Sequence, residues 1–201
     1  EHRDAIRAAN EGGEEFVARN LAHEWASAIT TGDYQPGFWD ESWGIHYRQD
    51  DDSPGWGQVY RNSWKQREEL DIDVHFEHKP RWKHFREGKF VFNLEIEGKT
   101  DGNDSIKDCW NEQRSVIRQQ APETMEICSP SPRNKYMLKS KEGAYEYTPG
   151  DPEAYFEALQ RALEDNELVA EIVDNIVAAL PFDNPNTVEL GWYDGPHSDR
   201  R

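Results

Sequence analysis

Acidic and basic side chains that could assist hydrolysis lie in two neighbouring segments of the sequence. Asp71 and Asp73 belong to the first segment, and Glu97 and Lys99 belong to the second. Carboxylates clustered within a few ångströms repel one another unless a cation lies among them, and Mg²⁺ prefers such all-oxygen ligands. Asp71, Asp73 and Glu97 are therefore candidate Mg²⁺ ligands. Together with Lys99, which adds positive charge, they are the candidate catalytic residues for attack on a phosphate.

The elements that would position these residues are two strands. In residues 70–77 and again in residues 90–97, large apolar residues alternate with mostly polar ones. Period-two alternation predicts strands that have one apolar and one polar face, and antiparallel pairing is the simplest connection between them. The alternative for the polar face is a solvated acidic surface with ordinary cross-strand pairs.

The predicted register places the candidate residues side by side. A turn centred near residues 83–84 puts Asp71 opposite Glu97 and Asp73 opposite Glu95 on the polar face, with Lys99 two residues beyond Glu97. His75 lies on this face too, and with Glu95 or Glu77 it could ligate a transition metal. The alternative for the histidines of this segment is exposure to solvent.

A short motif accompanies this arrangement. Glu97-Gly98-Lys99 fits the pattern (D/E)-x-K, and Asp71 or Asp73 supplies an acid upstream of it. In these features the chain resembles the PD-(D/E)XK nuclease superfamily. The resemblance implies an αβββαβ core over residues 14–128, a Mg²⁺ cofactor and hydrolysis of nucleic acid. The matching elements are a helix at 14–30, strands at 43–48, 69–77 and 89–98, a helix at 104–120 and a strand at 123–128.

The remaining patterns complete the fold prediction, which is a single α+β domain over residues 1–201. An additional strand at 56–64 would form a hairpin with 43–48. Residues 129–180 are predicted to hold a β-hairpin, in which 136–138 pairs with 144–147, and two covering helices at 152–164 and 166–180. Residues 181–201 are rich in Asn, Pro and Gly and are predicted to form an irregular tail. We expect a mixed or mainly antiparallel sheet of about five to seven strands flanked by helices.

Charge and cysteine content restrict the possible partners. The formal net charge of −17 excludes a basic DNA-binding surface as a global property, although it permits a local basic cleft. The excess acid could serve solubility, adaptation to salt, or mimicry of nucleic-acid phosphates. Cys109 and Cys128 are the only cysteines and lie in no metal-binding pattern. We expect buried thiols, a cytoplasmic location and no membrane partner.

Residues 79–89 form a basic segment in this otherwise acidic chain and are a candidate binding surface. A basic run interleaved with rings can contact a phosphate backbone and stack on bases. The alternative is that this loop forms ion pairs with the protein's own acidic surface. The candidate binding residues are Lys79, Arg81, Trp82, Lys83 and Arg86.

These observations favour a metal-dependent, nuclease-like domain that acts on nucleic acid, with loss of activity left open. The alternative is a non-catalytic acidic interaction protein, which would mimic nucleic acid or inhibit a nucleic-acid-binding partner. A third hypothesis is a small-ligand module built on the aromatic residues of 34–64. An open groove lined by rings would favour that module, whereas burial of the rings would favour a core.

Overall fold

The computed structural model describes Gly13 and residues 20–48, 55–67 and 70–180, with the side chains of residues 48, 66, 67 and 70 excepted. Predictions for residues 14–19 and for the tail at 181–201 lie outside the described residues. The described helices are α1 (20–31), α2 (Trp82–Glu87), α3 (Asp101–Glu112), α4 (Arg114–Gln120), α5 (Pro152–Asp165) and α6 (Glu167–Ala179). The described strands are β1 (Trp43–Arg48), β2 (Trp56–Arg61), β3 (Gln66–Arg67), β4 (Leu70–Asp71), β5 (Val74–His78), β6 (Phe92–Ile96), β7 (Met125–Ile127) and β8 (Tyr136–Ser140).

Six of these strands form one antiparallel sheet in the order β1-β2-β5-β6-β8-β7, and β3 pairs with β4 separately. The α+β class and the predominance of antiparallel pairing are confirmed. The predicted hairpin of β1 with β2 is confirmed as well, with Trp43 opposite Arg61 and Arg48 opposite Trp56. Strand β8 lies between β6 and β7, so it completes the sheet that the central hairpin begins.

The central hairpin β5–β6 pairs in a different register from the one predicted. His75, and not Asp73, lies opposite Glu95, and the backbone N–H of Glu97 donates to the carbonyl oxygen of Asp73 at 2.9 Å. The predicted register is therefore wrong by two residues, although the alternation of faces is unchanged. The connection between the strands is α2, capped by Gly88, and a helical connection does not fix the register as a tight turn does.

The apolar face of the sheet forms the core together with the helices. Phe76 of β5 stacks on Phe92 of β6 with ring centroids 5.3 Å apart, and both rings are fully buried. On the same face, His78 packs against Trp25 of α1 and shares a hydrogen bond of 2.9 Å with the Tyr155 hydroxyl of α5. His78 approaches β2 so closely that a Cβ at Gly57 would clash with its Nε2.

The aromatic stretch at 34–64 contributes largely to this core. Trp43 is buried and lies between Trp39 at 5.8 Å and Trp64 at 5.6 Å between ring centroids. The Trp64 indole N–H donates to Asp174 of α6 at 2.8 Å, which fixes the end of β2 to the C-terminal helices. This packing favours the core interpretation of these rings over an open ligand groove.

Helix α3 begins earlier than the sequence predicts. The cap is Thr100, whose Oγ1 accepts from the Asn103 N–H at 3.1 Å and donates to the Asp71 carbonyl at 2.5 Å, so the predicted start at residue 104 is wrong. The predicted helix at 104–120 is also divided, because Gln113 separates α3 from α4. A helix start at Thr100 is favoured over a later one because the Thr100 side chain can bond both the helix and the end of the neighbouring strand.

The C-terminal helices follow the sequence more closely. Helix α5 begins at residue 152, as predicted, with Pro152 in its first turn, and Asp151 caps it by accepting from the N–H groups of Glu153 and Ala154. The predicted hairpin partner at 144–147 is wrong, because the structure has a turn there in place of a strand. Tyr145 and Tyr147 instead insert their rings into the edge of the core.

In the described part of the chain, no helix combines the length and apolar character that crossing a bilayer requires. Cys109 and Cys128 are both free thiols and are half-buried, so the expectation of fully buried thiols is not met.

Candidate metal centre

The central hairpin gathers four side chains that can ligate a metal. His75 and Glu77 come from β5, Glu95 comes from β6, and Glu97 follows β6 directly. One ligand atom from each residue lies within 4.8 Å of the others. Alternation along two paired strands explains this, because i and i+2 side chains point to the same face. We refer to these four residues as the His/Glu cluster.

Three of the four cluster residues are buried, in contrast to the solvated face that the sequence left open, and Glu97 is partly exposed. His75 and Glu95 are fully buried, and only 3% of Glu77 is exposed. The alternatives of an exposed histidine and a solvated acidic face are therefore wrong. Charged groups lose hydration when they are buried, and only partners of opposite charge or hydrogen bonds can offset that loss.

Amide side chains on the flanking positions provide part of the compensation. Gln58 of β2 donates to Glu77 Oε2 at 3.2 Å, and Asn93 of β6 donates to Glu95 Oε1 at 3.0 Å. Each buried carboxylate thus has one oxygen bonded to an amide. The other oxygens, Glu77 Oε1 and Glu95 Oε2, face lysine ammonium groups instead.

Lysine ammonium groups provide the rest. Lys135, which precedes β8, forms ion pairs with Glu95 Oε2 and Glu97 Oε1 and lies 4.0 Å from Glu77 Oε1. Lys79 contacts the same Glu77 oxygen at 2.5 Å, and Lys65 contacts Asp73 at 2.5 Å. Three ammonium groups therefore face the carboxylates of Asp73, Glu77, Glu95 and Glu97.

Burial and pairing shift the pKa values in different directions. Burial alone would raise the pKa of Glu77, but hydrogen bonds and charge from His75 and Lys79 outweigh it and hold that pKa below its ordinary value. Burial and the neighbouring Glu77 charge raise the pKa of Glu95, although Lys135 opposes them. Glu95 is thus the carboxyl of this pair that takes up a proton first.

His75 is oriented as metal-ligating histidines usually are. Its Nδ1 lies 2.8 Å from Asp73 Oδ1, and its Nε2 faces Gln58 at 2.9 Å and Glu77 at 3.7 Å. Burial would lower the pKa of His75, but bonding to Asp73 and Glu77 outweighs it and raises that pKa. With the proton on Nδ1 donated to Asp73, Nε2 accepts from the Gln58 amide, and a metal ion at Nε2 would take the place of that donor. Pairing of a histidine with a carboxylate in this way is typical of metal sites.

Of the catalytic residues predicted from the sequence, two lie in or next to the His/Glu cluster and two do not. Glu97 belongs to the His/Glu cluster, and Asp73 adjoins it through His75. Asp71 is exposed and meets Thr100 only through its backbone carbonyl in the described contacts, so the predicted pairing of Asp71 with Glu97 is wrong. Lys99 is exposed beyond a turn at Gly98.

The ammonium group inside the cluster is Lys135, which sequence reasoning did not identify. It lies 38 residues after Glu97, and only the pairing of β8 with β6 brings the two together. Its position one residue before an alternating segment is a weak signal, because many surface lysines precede strands.

Helix α3 holds the open end of the cluster. The Asn103 side chain accepts from the Asp73 N–H at 3.0 Å and donates to the Glu97 carbonyl, so one amide bridges the ends of β5 and β6. Beside this end lies a cavity of about 410 Å³, whose lining includes Glu97, Lys99 and Lys135. The cluster therefore adjoins a solvent-accessible space.

The basic run at 79–86 does not act as one unit. Lys79 is paired with Glu77, whereas Arg81 is exposed before α2. Trp82, Lys83 and Arg86 of α2 line a separate cavity of about 310 Å³. Nucleic-acid contact by these residues stays a prediction.

No family model matches the chain, and comparisons with curated proteins and with solved structures give no significant match.

Proposed function

We propose that this protein is a divalent-metal-dependent phosphodiesterase that acts on nucleic acid, with the His/Glu cluster as its metal centre. The observation that carries the proposal is the convergence of His75, Glu77, Glu95 and Glu97, whose ligand atoms lie within 4.8 Å of one another. The orientation of His75 by Asp73 and the adjoining cavity support it.

The donor set indicates which metal would fit. Three carboxylates suit Mg²⁺, Ca²⁺ or Mn²⁺, whereas an imidazole nitrogen favours first-row transition metals. The buried oxygens Glu77 Oε1 and Glu95 Oε2 pair with the ammonium groups of Lys79 and Lys135, so a metal ion bound at these oxygens would take the place of those ammonium groups. We therefore expect Mn²⁺ to bind more tightly than the Mg²⁺ that the sequence predicts.

The residues around the cluster would share the work of hydrolysis. A bound divalent cation would supply positive charge that stabilises the charge developing on a phosphate. Asp73 would keep His75 oriented, and the ammonium group of Lys135 would add positive charge next to Glu97. Glu95, whose pKa is raised by burial, is the buried carboxyl of the cluster that takes up a proton first.

Thermal unfolding with added metal tests the centre. At Mn²⁺ concentrations about 100-fold above Kd, the melting temperature of the wild type should rise by about 5–10 °C. Glu97→Gln should abolish most of this rise, because it removes a partly exposed ligand with little effect on packing. Cleavage of a labelled oligonucleotide, with and without EDTA, then tests the hydrolysis.

Glu126→Gln is the matched control, because Glu126 is an exposed carboxylate on the neighbouring strand β7 and lies outside the cluster. It should retain the full Mn²⁺ response. Absence of any shift in the wild type with Mn²⁺, Mg²⁺ or Zn²⁺ would refute the metal centre. A shift without metal-dependent cleavage would refute the hydrolytic function.

A non-catalytic acidic interaction protein is the second candidate, and one specific observation favours it. Lys65, Lys79 and Lys135 already compensate most of the carboxylate charge, so the cluster can persist as an internal ion network that needs no metal. In that case the melting temperature would not respond to metal, and the protein would act through its acidic surface.

A further inference from the structure

A basic cavity lies next to the His/Glu cluster. It has a volume of about 410 Å³, within the range of small-ligand sites, and four of its ten lining residues are Lys or Arg. In the whole chain, 23 of 201 residues are basic against 40 acidic ones. The lining cations are Lys99, Lys107, Arg133 and Lys135, and we call this space the Arg133 cavity.

Lys107 shows that the cavity has unused hydrogen-bonding capacity. Its side chain is only 6% exposed, and in the described structure its ammonium group donates to a single acceptor, Asp104 Oδ1 at 2.8 Å. An ammonium group has three donors, and a buried charge needs several partners to offset its lost hydration. An anion in the cavity would accept from the donors that Asp104 leaves free.

Arg133 is presented by a braced turn. Ser131 and Asn134 exchange two backbone hydrogen bonds, at 2.8 and 3.0 Å, which places Pro132 and Arg133 at the tip. The Asn134 side chain donates to the Ser129 carbonyl at 2.9 Å, and Asn111 of α3 donates to the Pro130 carbonyl at 3.1 Å. The guanidinium group therefore projects from a fixed backbone and loses little backbone freedom on binding.

Lys99 lines the same cavity from the opposite connection. It follows Gly98, whose φ of +91° favours glycine and makes the sharp turn from β6 into α3. Within the described residues, neither Lys99 nor Arg133 forms an ion pair. Two uncompensated cations and the buried Lys107 therefore surround one space.

We propose that the Arg133 cavity binds a phosphate group, with Arg133, Lys99 and Lys107 as the residues that contact it. Guanidinium groups bind phosphate oxygens in bidentate fashion, and ammonium groups add point charges. Glu97 and Lys135 line the cavity and also belong to or contact the cluster, so a bound phosphate would lie beside the metal centre. The inference rests on the proposed function for its nucleic-acid substrate, but phosphate binding itself needs no metal.

Binding measured in EDTA separates this inference from metal chemistry. Inorganic phosphate is titrated by calorimetry, and a labelled single-stranded oligonucleotide is titrated by anisotropy with and without a 5′-phosphate. Arg133→Ala should weaken binding about 10-fold or more, because a charge-assisted contact is lost. Arg133→Lys should recover part of the affinity. Preference for the 5′-phosphorylated strand would identify a terminal phosphate, and equal binding would identify an internal phosphodiester.

Arg118→Ala is the matched control, because Arg118 is an exposed arginine on α4 that does not line the cavity. It should bind as the wild type does. Equal binding by Arg133→Ala and the wild type, or loss of binding only in Lys83→Ala and Arg86→Ala, would overturn the inference. If Arg133→Ala weakens binding while Mn²⁺ leaves the melting temperature of the wild type unchanged, phosphate binding by the cavity is supported and the proposed metal-dependent function is refuted. If Arg133→Ala retains metal-dependent cleavage with an unchanged KM, the proposed function is supported and phosphate binding by the cavity is refuted.

Discussion

The two faces of the central hairpin are buried to the same degree but are stabilised by different forces. On one face, Phe76 and Phe92 stack in a core closed by helices. On the other, His75, Glu77 and Glu95 are at most 3% exposed, yet every one of them is ionisable. Burial of a phenylalanine contributes about 1.5–3 kcal/mol through the hydrophobic effect. Burial of a carboxylate costs several kcal/mol until partners offset it.

This difference explains why the polar face is the better candidate for function. A buried ion network contributes little net stability compared with apolar residues of similar volume, so stability alone does not explain why this face is ionic. The pKa values of the two histidines of β5, one on each face, shift in opposite directions. Bonding to Asp73 and Glu77 raises the pKa of His75, whereas burial on the apolar face lowers the pKa of His78 to about 3.

Removal of the Lys135 ammonium group, which lies among the carboxylates of the polar face, should lower the free energy of unfolding more than any other substitution proposed for this face. Lys135→Met leaves Glu95 and Glu97 without their ammonium partner, and we expect it to lower the free energy of unfolding by about 3 kcal/mol. Urea unfolding at neutral pH measures the change. Lys139→Met is the control, because the contact described for the Lys139 ammonium is the Tyr136 ring at 4.0 Å, and it should cost less than about 1 kcal/mol.

A double variant then identifies the cause of the loss. Adding Glu95→Gln to Lys135→Met removes the buried charge that the first substitution strands, so part of the lost stability should return. Equal stability of Lys135→Met and Lys139→Met would show that ion compensation does not stabilise this face.

The two buried glutamates of the cluster, Glu77 and Glu95, should differ in what their substitution costs. Glu77→Gln should lower the free energy of unfolding by about 2 kcal/mol, because the folded state favours the ionised form of this residue. Glu95→Gln should cost less than about 1 kcal/mol, because burial and the Glu77 charge raise the pKa of Glu95 and so weaken the preference of the folded state for its ionised form. Urea unfolding of the two variants in EDTA compares them, and the reverse order would contradict the assigned pKa directions.

The histidine of the apolar face should make stability depend on acid. The pKa of His78 is about 3 in the folded protein, against an ordinary histidine value of 6.5, so between these values the unfolded state binds the additional proton. Stability should therefore fall as pH falls from about 6 to 5, by up to about 1.4 kcal/mol per pH unit. His75 has the opposite sign, and its contribution is lost as pH rises above its raised pKa.

Urea unfolding of the wild type and of His78→Gln across this range measures the effect. The glutamine does not titrate and keeps an acceptor for the Tyr155 hydroxyl, so the dependence on pH should be flatter. An unchanged slope would show that His78 becomes protonated without unfolding.

Alternation of residue types made the two faces of β5 and β6 predictable, together with Asp73 and Glu97 near one polar cluster. The register was not predictable, because the connection is a helix whose length and cap do not dictate which residues pair. Lys135 and Lys65 were missed because they come from separate elements. The sequence shows neither that β8 pairs with β6 nor that Lys65 reaches Asp73.

Local rules therefore determined the α+β class, the helix that starts at Asp151 and the segregation of polar and apolar side chains, because each depends on residues within a few positions of one another. Tertiary structure decided that the polar face is buried, which lysines compensate it and that four cations surround a cavity at its end. These features depend on contacts between residues far apart in the chain, and the burial and pairing that set their energies exist only after the sheet has formed.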